Sequence, residues 1–452
     1  MRRCITLLVG ILLFTLPLKA QEGARDDVKQ MQKLHYFFHY LRNNYVDDVP
    51  LDTLVEAAIT STLEELDPHS TYVTAEQMNA ARNSLRGNFS GVGISYIVHQ
   101  DTVFVRRVVD DGPASKAGII AGDRIIGTDS VSFQGMSNEQ INATLRGPKS
   151  SKITLKVKSV GSDTIYERTL TRNDIPLSSI ESAYRIDEVG YIRISNFSHN
   201  TAEEFAEAYK QIGSTKHLVV DVRGNSGGSL ASCIRLCELF LRKGDIIVTT
   251  EGRTHEPYIY AASKRGAMCD IALVILTDEQ TASASEIFAG AMQDHDRGVV
   301  IGRRSFGKGL VQRQVEFPDG SGIRLTVSRY KTPSGRIIQR HYDNGKRKEY
   351  YSDTTRFSNP STLDTISQPA YRTIKNGRKI YGGGGITPDE YIDLQSDESI
   401  YTFTSIAAAE RLFDRTVILM HDSGAITNIL KRYPTLEAFD SEYNPDEVTI
   451  NF

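Results

Sequence analysis

Three hydrophobic rhythms follow one another along the 452-residue chain. In Lys33–Tyr45, Leu34, Phe37, Phe38 and Leu41 recur at i, i+3, i+4 and i+7, which places an apolar stripe on one face of a helix. A second helical pattern starts at Leu54 and stops at Asp67-Pro68, because the residue before a proline is pushed out of helical backbone. From 88 to about 172 the period shortens to that of strands. Gly91–Val98 and Thr102–Val109 are short and β-branched, with His99-Gln100-Asp101 as the turn between them. A small-residue helix follows in Gly112–Gly122, and Asn138–Arg146 predicts another with Ile141 and Leu145 on one side. Ile153, Leu155 and Val157 alternate in a strand, and Gly161-Ser162 turns into Thr164–Leu170.

From about 173 strands and helices alternate, which predicts an α/β core. Gly190–Ile194, His217–Val222, Asp245–Thr250, Ala272–Thr277, Gly298–Gly302 and Gly322–Ser328 read as strands. Thr201-x-x-Glu204 is a capping box that opens a helix with Phe205, Tyr209 and Ile212 on one face. Further helices are expected near 229–242 and over Ser283–His295. Residues 340–380 are polar and charged and read as an insertion or long loop. The end of the chain offers one helix, Ser405–Leu419, and no chemical motif.

Composition narrows the class. A chain of this length with 40% hydrophobic residues predicts two to four domains. Its 53 Lys+Arg against 56 Asp+Glu exclude a general nucleic-acid binder, which needs a basic surplus. Arg2 and Arg3, the apolar run Ile5–Leu18 and Ala20 read as a secretory signal cut after Ala20, with a retained N-terminal anchor as the alternative. Loss of Arg2, Arg3 and Lys19 takes the net charge from -3 to -6. Cys233, Cys237 and Cys269 then remain. The first two are four apart in an apolar helical run and read as buried packing rather than a disulfide or metal pair. No CxxC, HExxH or paired-His spacing predicts a structural zinc.

Chemistry concentrates in three places. Thr281-Ala282-Ser283-Ala284-Ser285-Glu286 joins a strand to a helix, where a hydroxyl is exposed and backbone N–H groups can meet developing negative charge. Ser283-x-x-Glu286 also fits a capping box, which needs no catalysis. A serine needs a base, and His295 lies about 18 Å along that helix, too far to serve. Lys308, between Gly307 and Gly309, can serve as base if burial lowers its affinity for a proton; a solvated loop lysine is the alternative. Gln312 would orient it only if the chain bends at Gly309, since four residues of flat strand span about 13 Å. Asp221–Gly228, with Gly224, Gly227 and Gly228, follows a strand and could supply a second oxyanion donor or serve simply as a turn.

Together these residues resemble the bacterial C-terminal processing peptidases, the tail-specific serine proteases of the S41 group. The resemblance runs from about 30 to 395. It rests on Leu66–Ser70, Gly91–Ile94, Gly112–Ile125, Asp221–Gly228, Thr281–His295, Ser305–Gly309, Tyr330–Gln339 and Gly384–Glu390. It implies a ClpP/crotonase-like α/β protease core over 173–395, a PDZ domain inserted at 88–172, an N-terminal helical segment over 21–87 and a tail, 396–452, of no assigned role. It further implies Ser283 as nucleophile, Lys308 as base and Gln312 as orienting amide. The N–H of Ala284, with one from Gly227 or Gly228, would form the oxyanion hole. Gly91, Val92, Gly93 and Ile94 would receive a peptide carboxylate, and the next strand would take the peptide by strand addition. The Leu66–Ser70 landmark carries no assigned chemistry.

The expectation is therefore an exported, periplasmic or envelope serine endopeptidase acting on polypeptides with an unstructured C-terminus, without metal or organic cofactor. An activating or adaptor protein and a homo-oligomer stay open. The rivals are a non-catalytic PDZ-bearing scaffold and an acyl-CoA enzyme with a crotonase-like core.

Overall fold

The computed structural model describes residues 27–99, 102–159, 164–254, 256–353, 369–393 and 411–443. The expected signal segment, the turn residues Gln100-Asp101 and Gly161-Ser162, and the first part of the Ser405–Leu419 helix lie outside the described residues. The chain divides into two units. The first is built from the described residues up to Thr74 together with Gln312–Thr326 and Tyr342–Ser352, and the second from the rest.

In chain order the structure begins with α1 (27–44), α2 (Leu51–Glu64), β1 (Thr71–Val73) and α3 (Ala75–Arg86). Next come β2 (Asn88–Gly91), β3 (Ile94–His99), β4 (Thr102–Val108), α4 (Pro113–Lys116), β5 (Arg124–Thr128), α5 (Asn138–Leu145), β6 (Lys152–Lys158), β7 (Ile165–Thr171) and β8 (Asn173–Pro176). The core follows with β9 (Ile180–Ile186), β10 (Val189–Ile194), α6 (Thr201–Ile212), β11 (His217–Asp221), α7 (Leu230–Phe240), β12 (Ile246–Gly252), β13 (Tyr258–Ala261), β14 (Ala272–Thr277), α8 (Ala284–Asp294) and β15 (Val299–Gly302). The remainder is β16 (Leu310–Glu316), β17 (Gly322–Lys331), α9 (Arg347–Ser352), β18 (Ala370–Arg372), β19 (Lys379–Tyr381), β20 (Glu390–Tyr391), α10 (Leu412–Asp422), α11 (Ala425–Arg432) and α12 (Leu436–Glu442).

In the first unit, α1 forms where its period predicts, but the expected apolar stripe is not buried. Leu34 and Phe37 are 51% and 55% exposed, and Phe38 and Leu41 are half-buried. Periodicity reports a helix that can bury a face, not what covers it. β1 runs antiparallel to the start of β17, with Tyr72 opposite Ile323.

In the second unit, β3-β4-β5-β6-β7 form one antiparallel sheet in that order, with β3 at an edge. Val103, Val105, Ile125, Leu155 and Val157 point into a core closed by Phe133 and by Ile141 and Leu145 of α5. The alternation read from 153, 155 and 157 is thus the inward face of β6. On the sheet's other side Ile418 of α10 packs on Ile97 and Phe104, and Asp422 pairs with Arg124 at 2.7 Å.

The α/β core is a six-stranded sheet ordered β20-β15-β14-β11-β10-β9. Strands β10 through β20 are parallel and β9 is antiparallel at the edge. Apolar strands such as Leu218–Val220 and Leu273–Ile275 suit a sheet covered by helices. Phe205 of α6, Phe240 of α7 and Phe288 of α8 stack edge to face at 5.9 and 5.8 Å. Every residue of α8 is buried. Its small residues make this feasible: a Cβ on Gly290 would sit 3.0 Å from Ile386 and 3.1 Å from Thr332.

The described parts of the polar 340–380 stretch carry secondary structure where a loop was expected. They contain α9, which belongs to the first unit and buries Tyr350, and the hairpin β18–β19 of the second unit, which buries Ile380. Among the described residues of the tail there are three short helices where one was expected, because α11 and α12 run too briefly to give a clear period.

The end of α8 is held by charge. Asp294 pairs with Arg336 at 2.7 Å, both side chains fully buried, and accepts bonds from the Thr332 hydroxyl and the Ser334 N–H. Arg336 also donates to Gln293 and to the Tyr381 carbonyl, while burial lowers its affinity for the proton. Removing one member of such a pair leaves an uncompensated charge. Asp294→Ala should therefore lower the unfolding free energy by about 3–5 kcal/mol in a denaturant titration.

Candidate active site

Ser283 sits at the junction between β14 and α8. Its backbone adopts φ 56° and ψ -115°, a strained conformation for a residue with a side chain. Such strain costs about 1–3 kcal/mol and persists only where surrounding contacts enforce it. The contacts are visible. Thr281 caps the preceding turn, with its hydroxyl donating to the Val222 carbonyl at 2.9 Å. Asp278 receives the N–H groups of Gln280 and Thr281, each at 3.0 Å. The Ala282 N–H donates to the Asn225 carbonyl at 3.0 Å.

Glu286, on the first turn of α8, is fully buried and accepts four hydrogen bonds. Its Oε2 takes the Ser283 N–H at 2.8 Å and the Lys308 N–H at 2.8 Å. Its Oε1 takes the Ser305 hydroxyl and the Gly307 N–H, both at 2.6 Å. Burial raises this carboxyl above its ordinary value, against the pull of those four donors. Two bonds of 2.8 Å ending on one oxygen hold the Ser283 and Lys308 backbone nitrogens within twice that distance of each other. The structure thus brings together two residues 25 positions apart in the chain.

A second buried group grips the same two residues from their carbonyl side. The Tyr330 hydroxyl donates to the Lys308 carbonyl at 2.7 Å, with the Ser283 carbonyl at 3.3 Å. Burial pushes the Tyr330 hydroxyl well above the usual phenol range, so it remains a donor. Lys308 is half-buried, on a loop turned by Gly307 at φ 87°. The turn is packed too closely for a side chain: a Cβ there would lie 3.1 Å from the Gly385 nitrogen. Ser305 links this loop to the end of the core, since its hydroxyl accepts the Ile386 N–H at 2.6 Å while donating to Glu286.

The Asp221–Gly228 loop lies against the same junction. A Cβ on Gly227 would sit 2.8 Å from the Ser283 Cβ and 2.9 Å from the Ala284 nitrogen. Asn225 shapes the loop: its amide nitrogen donates to the Ile194 carbonyl at 2.9 Å and its Oδ1 accepts the Gly227 N–H at 2.9 Å. The Gly227 N–H is therefore engaged within the loop. Among the described residues, neither the Ala284 nor the Gly228 N–H donates to a protein acceptor. Asp221 anchors the loop's start, taking the Tyr191 hydroxyl at 2.7 Å and the Arg223 guanidinium at 2.6 Å. Burial opposes its ionisation, but Arg223 and Tyr191 outweigh that and hold the carboxyl below its ordinary value.

Gly91–Ile94 lines a cavity of about 270 Å³ between β3 and α5, walled by Tyr96, Asn142, Leu145 and Arg146. Arg146 lies 4.6 Å from the Phe89 ring centroid. Gly93 has φ 80°, and its carbonyl accepts the Val109 N–H at 2.9 Å. The edge position of β3 leaves its outer backbone side facing this cavity.

Gln312 belongs to the first unit. It is the third residue of β16, and its Nε2 donates to the His69 carbonyl at 2.8 Å. Glu286, Tyr330 and Asn225 carry no expected role beyond Glu286 as a cap. The sequence signals they do offer are a Glu three positions after the hydroxyl and a place inside long motifs.

The sequence is similar to those of known proteins. The family model for peptidase family S41 matches residues 188–345, and that for the PDZ domain matches 81–158. A carboxy-terminal-processing protease of Bartonella bacilliformis is 36% identical over 323 residues, covering 70% of this chain and 74% of that protein. The carboxyl-terminal-processing protease of Synechocystis sp. is 35% identical over 319 residues, 68% of this chain and 74% of that protein. A solved photosystem II D1 C-terminal processing protease is 26% identical, covering 79% of this chain and 87% of that one, with a TM-score of 0.40 that adds nothing to the sequence match.

The Glu286 carboxylate can be tested by an isosteric change. Glu286→Gln places an NH₂ donor against buried donors, and each unmet buried donor costs roughly 1–3 kcal/mol. The variant should unfold at clearly lower denaturant, by at least about 2 kcal/mol. An unchanged midpoint would show that the four bonds contribute nothing.

Proposed function

The chain belongs to peptidase family S41 and is a serine-type protease with a PDZ domain; from that premise we propose that it is an exported C-terminal processing enzyme that cuts polypeptides through Ser283 and Lys308. The observation that carries this reading is the shared Glu286 oxygen, which fixes the two backbones side by side.

The chemistry follows from that placement. Lys308, deprotonated in the resting enzyme, accepts the Ser283 hydroxyl proton as Oγ attacks the scissile carbonyl carbon. The N–H groups of Ala284 and Gly228 stabilise the oxyanion, while Gly227 serves as the close-packed backbone beneath them, its N–H being held by Asn225. Lys308 then delivers the proton to the leaving amine. A water, deprotonated by Lys308, attacks the acyl ester and restores the Ser283 hydroxyl. Gln312 takes the role of orienting the lysine on the strength of the family motif. The PDZ domain would receive a free C-terminus, with the carboxylate at the Gly91–Ile94 loop and the peptide added alongside β3.

Ser283→Ala and Lys308→Ala should each reduce cleavage of a denatured polypeptide by about 10³-fold or more while leaving the melting temperature near that of the native protein. A serine-directed phosphonate should label native protein and fail on both variants. Full activity in either folded variant would overturn the mechanism. For export, N-terminal sequencing of the chain from the cell envelope should begin at Gln21; a chain starting at Met1 in the cytoplasm would overturn that assignment.

A further inference from the structure

The Leu66–Ser70 segment is the one long motif to which the protease chemistry assigns no task, yet it is among the most tightly bonded turns in the first unit. Asp67 is 5% exposed. Its carboxylate accepts the N–H of His69 at 2.8 Å and of Ser70 at 2.9 Å, the Ser70 hydroxyl at 2.5 Å and the Thr326 hydroxyl at 3.1 Å. The Thr326 N–H in turn donates to the Ser70 hydroxyl oxygen at 3.1 Å, which ties the turn to β17. A carboxylate with this many donors leaves the turn little freedom, so the direction of the His69 carbonyl is set.

That carbonyl is the acceptor for the Gln312 amide nitrogen at 2.8 Å. A carbonyl can only accept, so the nitrogen end of the amide must face the turn and the oxygen end must face away from it.

The His69 ring braces the same turn from behind. Its two nitrogens lie 3.1 Å from the Tyr351 hydroxyl and 3.2 Å from the Tyr350 hydroxyl, and both tyrosine rings meet it edge to face. The Tyr351 hydroxyl donates its one proton to the Pro68 carbonyl at 3.1 Å, so toward His69 it accepts. Nδ1 must then carry a ring proton. In a neutral ring Nε2 is left as the acceptor facing the Tyr350 hydroxyl, so one imidazole can use both nitrogens within the brace.

We propose that the Asp67–Ser70 turn, braced through His69 by Tyr350 and Tyr351, is the device that positions the Gln312 amide for catalysis. This rests on the reading of Gln312 as the amide that orients the catalytic lysine. His69 is thus a positioning residue that acts through Gln312 and touches no substrate.

A double-mutant cycle on the full-length protein tests it, with kcat and KM measured on one unfolded polypeptide and melting temperature followed in parallel. His69→Phe and Gln312→Ala should each lower kcat by about 10-fold or more with KM within about twofold, because misplacing a positioned group by an ångström acts on the reacting step. The double variant should be no slower than Gln312→Ala alone. Multiplying losses, or native kcat in His69→Phe, would overturn the positioning role while leaving Gln312 in the mechanism. Native kcat in Gln312→Ala would overturn the role of Gln312 and the proposal with it. Should His69→Phe not fold, Tyr350→Phe and Tyr351→Phe keep the ring and the backbone and carry the same cycle. The ¹⁵N spectrum of histidine-labelled protein must also show His69 protonated at Nδ1; an Nε2–H ring would overturn the brace.

Discussion

A buried carboxylate in a protein core is costly unless every lone pair it presents is met, and Glu286 meets that condition with four donors from two separate stretches of chain, Ser283 and Ser305–Lys308. Its position on the first turn of α8 adds the favourable field of the helix N-terminus. Ser283, Ser305, Gly307 and Lys308 are therefore located by one group. The dependence reaches further, because the Ser305 hydroxyl that donates to Glu286 also accepts the Ile386 N–H. A segment more than 80 residues beyond the serine thus becomes part of its support. Tyr330 supplies the opposite polarity. Where Glu286 collects N–H groups, Tyr330 offers a proton to carbonyls of the same two residues.

The glycine-rich loop illustrates how a polar site is assembled by subtraction. Its internal needs are met first: Asn225 holds Gly227 and the Ile194 carbonyl, and Asp278 receives the Gly224 N–H at 3.0 Å. Among the described residues, the N–H groups of Ala284 and Gly228 are left without a protein acceptor beside Ser283. Strain at Ser283 belongs to the same arrangement, since the lattice of bonds around 278–286 maintains a backbone conformation that the residue alone would leave.

Much of this was legible in the chain, for a physical reason. Strands β10, β11 and β14 and helices α6 and α7 carry clear apolar patterns and pack into the core, so their existence could be read from hydrophobicity alone, whereas α8 is buried on every side. The serine and lysine stood out because small residues surround them and because long motifs match a known family. The supporting groups were harder. Glu286 satisfies a helix cap with the same atoms that hold the lysine loop, and a cap explains it fully until the fold brings residues 305–308 to it. Asn225, Tyr330 and His69 act through contacts between residues 22 to 282 positions apart, and no local spacing encodes such pairings. The stripe on α1 shows the converse: a helical period was correct while the burial it implied was not.

The thiols gain a different meaning from this packing. Cys233 and Cys237 are free and fully buried in α7, and the Cys233 thiol donates to the carbonyl of Ala284, the residue after Ser283. A buried thiol reacts only when its surroundings open. The rate at which a thiol reagent reaches Cys233 therefore clocks the opening of the interface between α7 and the helix that bears Ser283. The chain carries its own reporter on the breathing of the Ser283 junction.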